Sequence, residues 1–452
     1  MTTIRAKIAQ RALAPGERLP SIRKLSATLE VSPSTVVEAY DRLAAEGVIR
    51  PRPGSGFYVT GSSTPFALIA AEPNLDRAID PLWVSRQSLD IGAGAFKPGC
   101  GWLSAEWMPL DAIRRAMRSL SRCDSAVLAD YGPTHGYPPL RQLLARQFAA
   151  EGLAVGADQI LLTSSGTQAI DLLCRFLLQP GDTVLLDDPC YFNFQALLRA
   201  HRVKVVGVPM SATGPDLDRF VEAVKTRKPR MYITNSAIHN PTGATLSPQV
   251  AHQILVAAAE HGVTIVEDDI YADFEPDPSA RLALLDGLSR VIRIGSFSKT
   301  LSAGLRCGYI VARRDWIEGL LDLLVATSFG GPNPVAAALV ATVLQDGSYR
   351  KHLGDVRRRL ARRRTDVAGQ LAGLGIVPWL MPRGGFNLWC KLPGHRDGGA
   401  IAMAALRDNV VLAPGNVFSV SQSSPDFMRV NVTQMTDPHC FKVLARVLAE
   451  PN

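Results

Sequence analysis

GSFSKTLSAGLRCGYI, residues 295–310, sets one lysine, Lys299, in a run of small and hydroxyl-bearing residues. Ser296 and Ser298 precede it and Arg306 follows. A lysine amine condenses with an aldehyde to form a Schiff base, and pyridoxal phosphate (PLP) is the common biological aldehyde that uses one. Hydroxyls and a guanidinium beside that lysine suit a phosphate, because the arginine fork matches phosphate oxygens bidentately. A surface lysine in a Gly/Ser loop reads the same way, so the stretch alone does not separate the two, and the rest of the chain has to.

With 452 residues, 47% of them hydrophobic, the chain is long enough for more than one domain and ample cores. No apolar run approaches the roughly 18 residues of a membrane helix, and MTTIRAKIAQ lacks the apolar centre of a signal peptide. The seven cysteines are scattered, odd in number and form no CxxC pair. This argues against a disulfide framework or a zinc site and predicts a cytoplasmic protein without a metal. The net charge is +8. Residues 1–60 hold nine Lys/Arg against five Asp/Glu, so half the excess lies near the N-terminus. A basic end suggests nucleic acid, though charge alone is weak evidence.

In chain order, RAKIAQ predicts a short helix beginning close to Met1. SIRKLSATLE predicts a second, with Ile22, Leu25 and Leu29 on one face. After the turn Glu30–Pro33, STVVEAYDRLAAEG predicts a third, with Val36, Val37, Tyr40 and Leu43 inward. VIRPRPGSGFYV reads as two strands around a Gly-rich tip, with Arg50 and Arg52 at its base. Helix, turn, helix and basic hairpin make a winged helix-turn-helix, whose second helix enters the major groove. Residues 61–88 contain three prolines and no clean period, and read as an interdomain linker with a possible helical turn.

From about residue 89, QILLTS, DTVLLDDP, KVVGVPM, RMYITN, TIVEDD and VIRIGS are β-rich runs, several separated by helical stretches. Repeated strand–helix–strand units predict an α/β fold, a parallel sheet with helices on both faces. A smaller α+β part is expected from about residue 335.

Candidate site residues lie along this second part. SSGTQAI opens a helix after a strand, where the N–H groups of Gly166 and Thr167 suit a phosphate; an ordinary N-cap reads alike. Tyr191, in DDPCYFNF, suits either a ring face or a core. Asn240, in HNPTG, has a constrained backbone and a donor amide. In EDDIYADF, Asp268 and Tyr271 lie just past a strand end, where open α/β sheets place ligands. An aspartate there can keep a pyridine nitrogen protonated, but in a run of three acids, Glu267 and Asp269 read no differently from it. RRRLARRR, residues 357–364, reads as a solvated helix, with a secondary DNA contact as the alternative.

Taken in order, SGT, DDPCYFNF, HNPTG, EDDIY, SFSK and Arg306 resemble the fold-type I aminotransferases over about residues 90–452. The resemblance implies PLP as cofactor. Lys299 would carry its Schiff base, Asp268 its ring nitrogen, and Tyr191 its ring face; these three are the expected catalytic residues. Asn240 and Tyr271 would bond the 3′ oxygen. Gly166, Thr167, Ser296, Ser298 and Arg306 would hold the phosphate. Tyr131, in YGPTHGYPPLR, would reach the phosphate of a neighbouring subunit, because this fold builds its site across a homodimer. Arg429, in FMRVNVTQ, matches the arginine that grips an α-carboxylate. Cys100, Trp102 and Trp107, in LDIGAGAFKPGCGWLSAEWMPL, fit no pattern of the family.

The stretch APGERLPSIRKLSATLEVSPSTVVEAYDRLAAEGVIRPRPGSGFYV resembles the DNA-binding domain of the GntR family of bacterial regulators. It implies Arg23, Ser34, Thr35, Arg50 and Arg52 as DNA contacts, with Gly54 and Gly56 shaping the wing tip. Pro33-Ser34 stands where many members carry a basic residue, which puts the base readout in question. The whole layout resembles the MocR subfamily: a winged helix over 1–60, a linker over 61–88, and an aminotransferase-like domain over 89–452. The implied function is a DNA-binding transcriptional regulator that senses PLP or its adduct with an amino acid or amine. A working aminotransferase is the alternative.

Overall fold

In the computed structural model, the described residues are 17–46, 48–52, 55–59, 81–90, 92 and 94–450. They fall into two compact units, one within residues 1–72 and one within 73–452. Among them no helix is long and apolar enough to cross a membrane.

In the first unit, helix Ile22–Leu29 starts at Ser21, whose hydroxyl accepts from the Lys24 N–H, and stops at Glu30, in the left-handed region (φ 53°). Helix Pro33–Ala45 starts at Ser32, which accepts from the Thr35 N–H, with Pro33 in the first turn. Strands β1 (Ile49–Arg52) and β2 (Gly56–Val59) pair antiparallel, with Arg50 opposite Tyr58. Leu19, Val36, Tyr40, Leu43, Ile49 and Val59 form the core, and the Tyr40 hydroxyl donates to the Pro20 carbonyl at 2.7 Å. Val37 is not part of this core, contrary to its expected inward position. One residue past Val36 the helix has turned by about 100°, and Val37 is 39% exposed. The helix expected from RAKIAQ, and Gly54 at the wing tip, lie outside the described residues.

The second unit begins with a helix, Pro81–Asp90. Its Trp83 and Val84 are buried against Phe192, Trp389 and Phe418. The expected linker therefore ends earlier than residue 88, because an indole in a core is docked structure; the rest of the described part of 61–88 belongs to this helix.

All six expected strands of the large sheet are present: β3 (Ile160–Thr163), β4 (Thr183–Asp188), β5 (Lys204–Ser211), β7 (Met231–Thr234), β8 (Thr264–Asp268) and β9 (Val291–Ser296). With β6 (Gly214–Pro215) and β10 (Gly308–Val311) the order is β3-β10-β9-β8-β7-β4-β5-β6. The pairs β5/β4, β4/β7, β7/β8 and β8/β9 are parallel. Leu185, Tyr232 and Ile265 face one buried cluster, and Val184, Leu186, Ile233 and Val266 face the other. Burial on both faces explains why these strands read as continuous apolar runs.

The sheet is mixed rather than parallel throughout, because β10 is antiparallel to both β9 and β3. Residues 297–307 connect β9 to β10. A parallel crossover needs on the order of a dozen residues or more, usually a helix, so this loop turns the chain straight back. Lys299 rides on that turn. The C-terminal part has helices Pro334–Gln345 and Gly347–Ala372, then an antiparallel sheet ordered β11 (Val377–Pro378), β12 (Asn387–Lys391), β14 (Phe427–Asn431) and β13 (Ala413–Pro414).

The arginine run lies on helix Gly347–Ala372 and is largely engaged. Arg357 donates to the Asp273 carbonyl at 2.7 Å, Arg363 to the Val432 and Met435 carbonyls, and Arg364, buried, to the Gly385 carbonyl at 2.7 Å. Arg358 pairs with Asp355, and Arg359 covers the Trp107 ring at 4.1 Å.

Candidate functional site

Strands β3, β4, β7, β8 and β9 end on one edge of the sheet, at Thr163, Asp188, Thr234, Asp268 and Ser296. A pocket opens there. Gly166, Thr167, Tyr191, Asn240, Asp268, Tyr271, Ser296, Ser298, Lys299 and Arg306 all line it, with Asn193, Asn235 and Ser165. Residues spread over 141 positions of sequence, from 166 to 306, thus converge at the end of the sheet where open α/β folds bind ligands.

The three acids at the end of β8 are not equivalent. Successive strand residues alternate faces, and only Asp268 lines the pocket. Its Oδ1 accepts from the Ile270 N–H at 3.1 Å, and its carbonyl accepts from Asn235 Nδ2 at 3.1 Å. Burial raises its pKa to about 7, since a charged carboxylate there loses water. Glu267 instead accepts from Ser236 Oγ and from the N–H groups of Leu282 and Ala283. Asp269 pairs with Arg281 and Arg293.

Lys299 is half-buried and donates to the Gly101 carbonyl. Burial first, and then the Arg429 charge, lower its pKa to about 8. A lysine so placed is a usable nucleophile near neutral pH.

An anion cradle stands at one end of the pocket. Helix Gly166–Leu177 starts at Ser165, whose hydroxyl accepts from the Gln168 N–H at 3.0 Å. The N–H groups of Gly166 and Thr167 have no acceptor within their helix. Ser296 Oγ and Ser298 Oγ lie 2.9 Å apart, and Ser296 Oγ also donates to the Cys307 carbonyl at 3.1 Å. Arg306 sits at φ 49°, a left-handed conformation unusual for arginine and concentrated at functional turns. Gly308 explains how β10 fits beside this cradle: a Cβ there would meet the Gly295 carbonyl oxygen at 2.8 Å and the Ser165 carbonyl carbon at 2.9 Å.

Tyr191 packs edge-on to Phe194 with ring centroids 5.3 Å apart. Tyr271 is buried, with Asn387 Nδ2 at 3.5 Å from its hydroxyl, and burial holds its phenol well above the usual range. Asn240 is held through its carbonyl Oδ1, which accepts from Arg429 Nη1 at 3.0 Å; its amide remains a donor. Next to it, His239 lies 3.2 Å from Asp187 and 2.7 Å from the Thr242 hydroxyl.

Arg429 lies behind Asn240 rather than in the pocket wall. It is 1% exposed, and its Nη2 donates to the Gly99 carbonyl at 2.7 Å. Its Nε has no partner, and among the described residues no carboxylate pairs with it. The Phe418 ring lies 4.8 Å from the guanidinium carbon. A buried guanidinium without a counter-ion is costly unless a ligand supplies one.

The segment around Cys100, which fits no sequence pattern, belongs to this site. Gly99 and Gly101 offer carbonyls to Arg429 and Lys299. Asn431 Nδ2 holds the loop through the carbonyls of Cys100 (3.1 Å) and Trp102 (2.7 Å). A Cβ on Gly99 would meet the Ala413 nitrogen at 2.5 Å, so the GCG triplet was the available signal. Tyr131 does not line the pocket; it is 78% exposed, its ring 5.0 Å from that of Phe329.

In the first unit Arg23, Ser34, Thr35, Arg50 and Arg52 are all exposed. The hydroxyls of Ser34 and Thr35 lie 2.7 and 2.8 Å from Ser32 Oγ. Arg52 covers the Tyr58 ring at 4.5 Å. Gly56 has φ 106°, and Arg18, outside the expected contact set, lies beside it, with Nε 3.4 Å from where a Cβ would stand.

Comparison with known proteins agrees with both halves. Residues 102–447 match the family model for aminotransferase class I and II, and residues 2–59 match that for bacterial regulatory proteins of the gntR family. The uncharacterized HTH-type transcriptional regulator YdcR of Escherichia coli is 29% identical over 95% of this chain and 93% of its own length. NorG, an HTH-type transcriptional regulator of Staphylococcus aureus, is 26% identical over 90% of this chain and 94% of its own. Among solved structures, LysN, the α-aminoadipate aminotransferase of Thermus thermophilus complexed with N-(5′-phosphopyridoxyl)-L-leucine, superposes with a TM-score of 0.73. It is 27% identical over 81% of this chain and 94% of its own. An archaeal alanine:glyoxylate aminotransferase shares the fold, with a TM-score of 0.76 at 24% identity over 85% of this chain and 99% of its own. The chain belongs to the class I and II aminotransferase family, and joins to that domain a gntR-family helix-turn-helix, the MocR-type architecture.

Proposed function

We propose that this chain is a DNA-binding transcriptional regulator whose aminotransferase-like unit holds PLP and senses an amino acid or amine through it. The single observation that carries the reading is Arg429, a buried guanidinium with no carboxylate partner among the described residues, one hydrogen bond from Asn240 in the pocket wall.

The residues fit PLP. The cradle of Gly166, Thr167, Ser296, Ser298 and Arg306 suits its phosphate, Lys299 its aldehyde and Asp268 its ring nitrogen. Tyr191 suits its ring face, and Asn240 and Tyr271 its phenolic oxygen. When bound, PLP supplies an electrophilic carbon that exchanges the lysine amine for that of a ligand. The chain's part is to orient and to discriminate. Arg429 would donate to the α-carboxylate in a bidentate pair worth roughly a few kcal/mol when shielded from water. A ligand changes DNA binding only by its differential affinity for two arrangements of the protein.

A homodimer is part of the proposal, supported by the exposed Tyr131 and Phe329, a paired aromatic patch suited to a second copy. Arg23, Ser34, Thr35, Arg50 and Arg52 would contact the operator. A cytoplasmic location is supported by seven free cysteines. Turnover as an aminotransferase is the second reading, favoured by the unbroken set of Lys299, Asp268 and Arg429. Steady transamination of an amino donor and an oxoacid, monitored with and without DNA, separates an enzyme from a sensor that stops at ligand exchange.

A further inference from the structure

Behind the pocket, five charged side chains form a chain of ion pairs: Glu275, Arg281, Asp269, Arg293 and Glu151. Asp269 is its centre. Its Oδ1 lies 2.9 Å from Arg281 Nε and its Oδ2 lies 2.6 Å from Arg293 Nη2. Arg281 continues to Glu275, and Arg293 to Glu151 at 2.7 Å. Asp269, Arg281, Arg293 and Glu275 are all buried, and the Glu151 side chain is 49% exposed. The partners come from separate elements: Arg281 precedes helix Leu282–Asp286, Arg293 lies on β9, and Glu151 ends helix Pro138–Ala150.

We propose that Asp269 is a positioning residue for Asp268, and that this ion-pair chain fixes the direction in which the Asp268 carboxylate meets the ring nitrogen of PLP. The inference rests on the reading of Asp268 given above.

The Asp268 side chain accepts from the Ile270 N–H at 3.1 Å, and the Asn235 amide beside it donates to the Asp268 carbonyl at 3.1 Å. Its direction therefore depends on the backbone of residues 268–270. Asp269, the first residue past β8, ties that backbone on the side away from the pocket, with each carboxylate oxygen committed to a different arginine. Its own N–H donates to the Ile294 carbonyl at 2.9 Å, joining the same segment to β9. Glu267 ties the preceding residue through three donors. Asp268 is thus clamped on both sides by carboxylates that never face the pocket. Buried ion pairs add little net stability over apolar packing, but losing one member is strongly unfavourable; what they provide here is geometry. A site that must hold a ring nitrogen within hydrogen-bond distance needs such support from its second layer of contacts.

The test uses the full chain loaded with isotope-labelled PLP, with nitrogen NMR to report whether the ring nitrogen is protonated. Wild type should show a protonated ring, and Asp268→Asn a neutral one. Asp269→Asn, which keeps shape and removes charge, should move the signal toward that of Asp268→Asn and weaken PLP binding several-fold. Glu151→Gln, at the exposed end, should move it less in the same direction. A merely structural role would lower the melting temperature of the cofactor-free protein without changing ring protonation. If Asp269→Asn keeps the wild-type signal, the proposal is overturned. If Asp269→Asn does not fold, Glu151→Gln decides, and a wild-type signal there overturns it equally. If Asp268→Asn itself keeps a protonated ring, the reading of Asp268 fails instead.

Discussion

The pocket at the sheet end and the winged helix handle charge in opposite ways. Asp268, Asn240 and Tyr271 in the pocket wall, and Arg429 behind it, are each at most 7% exposed, and burial moves Asp268 up to about 7 and Lys299 down to about 8. In the winged helix, Arg23, Arg50 and Arg52 stand in solvent. Each buried group sits in a low dielectric, coupled closely to a few neighbours, as Lys299 is to Arg429. Exposed arginines act together, each neutralising a phosphate and releasing counterions. Single substitutions should therefore abolish discrete properties in the pocket, whereas substitutions in the winged helix should grade affinity with salt.

The largest expected effect is at Lys299. Lys299→Ala should abolish the Schiff-base absorbance band of PLP-loaded protein while leaving the fold intact by circular dichroism. A retained band at wild-type position would place the Schiff base elsewhere. Next comes the carboxylate grip: Arg429→Ala should keep the PLP band and lose the spectral response to amino acids. Arg429→Lys should restore only part of it, since an ammonium lacks the fork. Equal amino-acid affinity in wild type and Arg429→Ala would remove Arg429 from the effector site.

The pocket's pKa shifts give a third expectation. The neutral amine attacks the aldehyde, so the rate of PLP reconstitution should rise with pH and level off above about 8, the value to which burial and Arg429 hold Lys299. Arg429→Ala removes a nearby positive charge and should move that midpoint upward. Asp268 works on stability. Its carboxyl is held near 7 against an ordinary 3.8, so the unfolded chain releases this proton first. Stability of the cofactor-free protein from this group is present below about 4 and is lost as pH rises towards 7. Asp268→Asn should flatten that part of the profile of melting temperature against pH. The smallest and most graded effect belongs to the wing. Arg50→Ala with Arg52→Ala should reduce the slope of log affinity against log salt by about 2, with the PLP spectrum unchanged.

Much of this was legible because the chemistry resides in single residues beside turn signals. Lys299 in SFSK, Asn240 in HNPTG and Asp268 at a strand end are marked by type and position, and all three line the pocket; the six β-rich runs of the core are visible as apolar runs. Strand direction is not written locally, so GYIV, the antiparallel β10, passed unseen in the same stretch that carries Lys299. Backbone groups leave no residue signature either: Gly99 and Gly101 serve the site through carbonyls. The arginine run reads as a solvated helix because its partners, the carbonyls of Asp273, Gly385, Val432 and Met435, are remote in sequence. Val37 shows the limit of helical periodicity, where one residue separates the core face from solvent.

The central claim is that an amino acid or amine read at Lys299 and Arg429 alters DNA binding by the winged helix. The direct measurement titrates PLP-loaded protein with a panel of amino acids and amines while following absorbance and the anisotropy of a fluorescent duplex in the same sample. The duplex is one selected by the protein from a random pool. The account predicts that a ligand shifting the PLP spectrum also changes duplex affinity, at the same concentration. It predicts that Arg429→Ala loses both responses to amino acids while binding the duplex as wild type does without ligand. A full spectral response with duplex affinity unchanged across the whole panel would contradict it, and would leave an aminotransferase joined to a DNA-binding domain that does not listen to it.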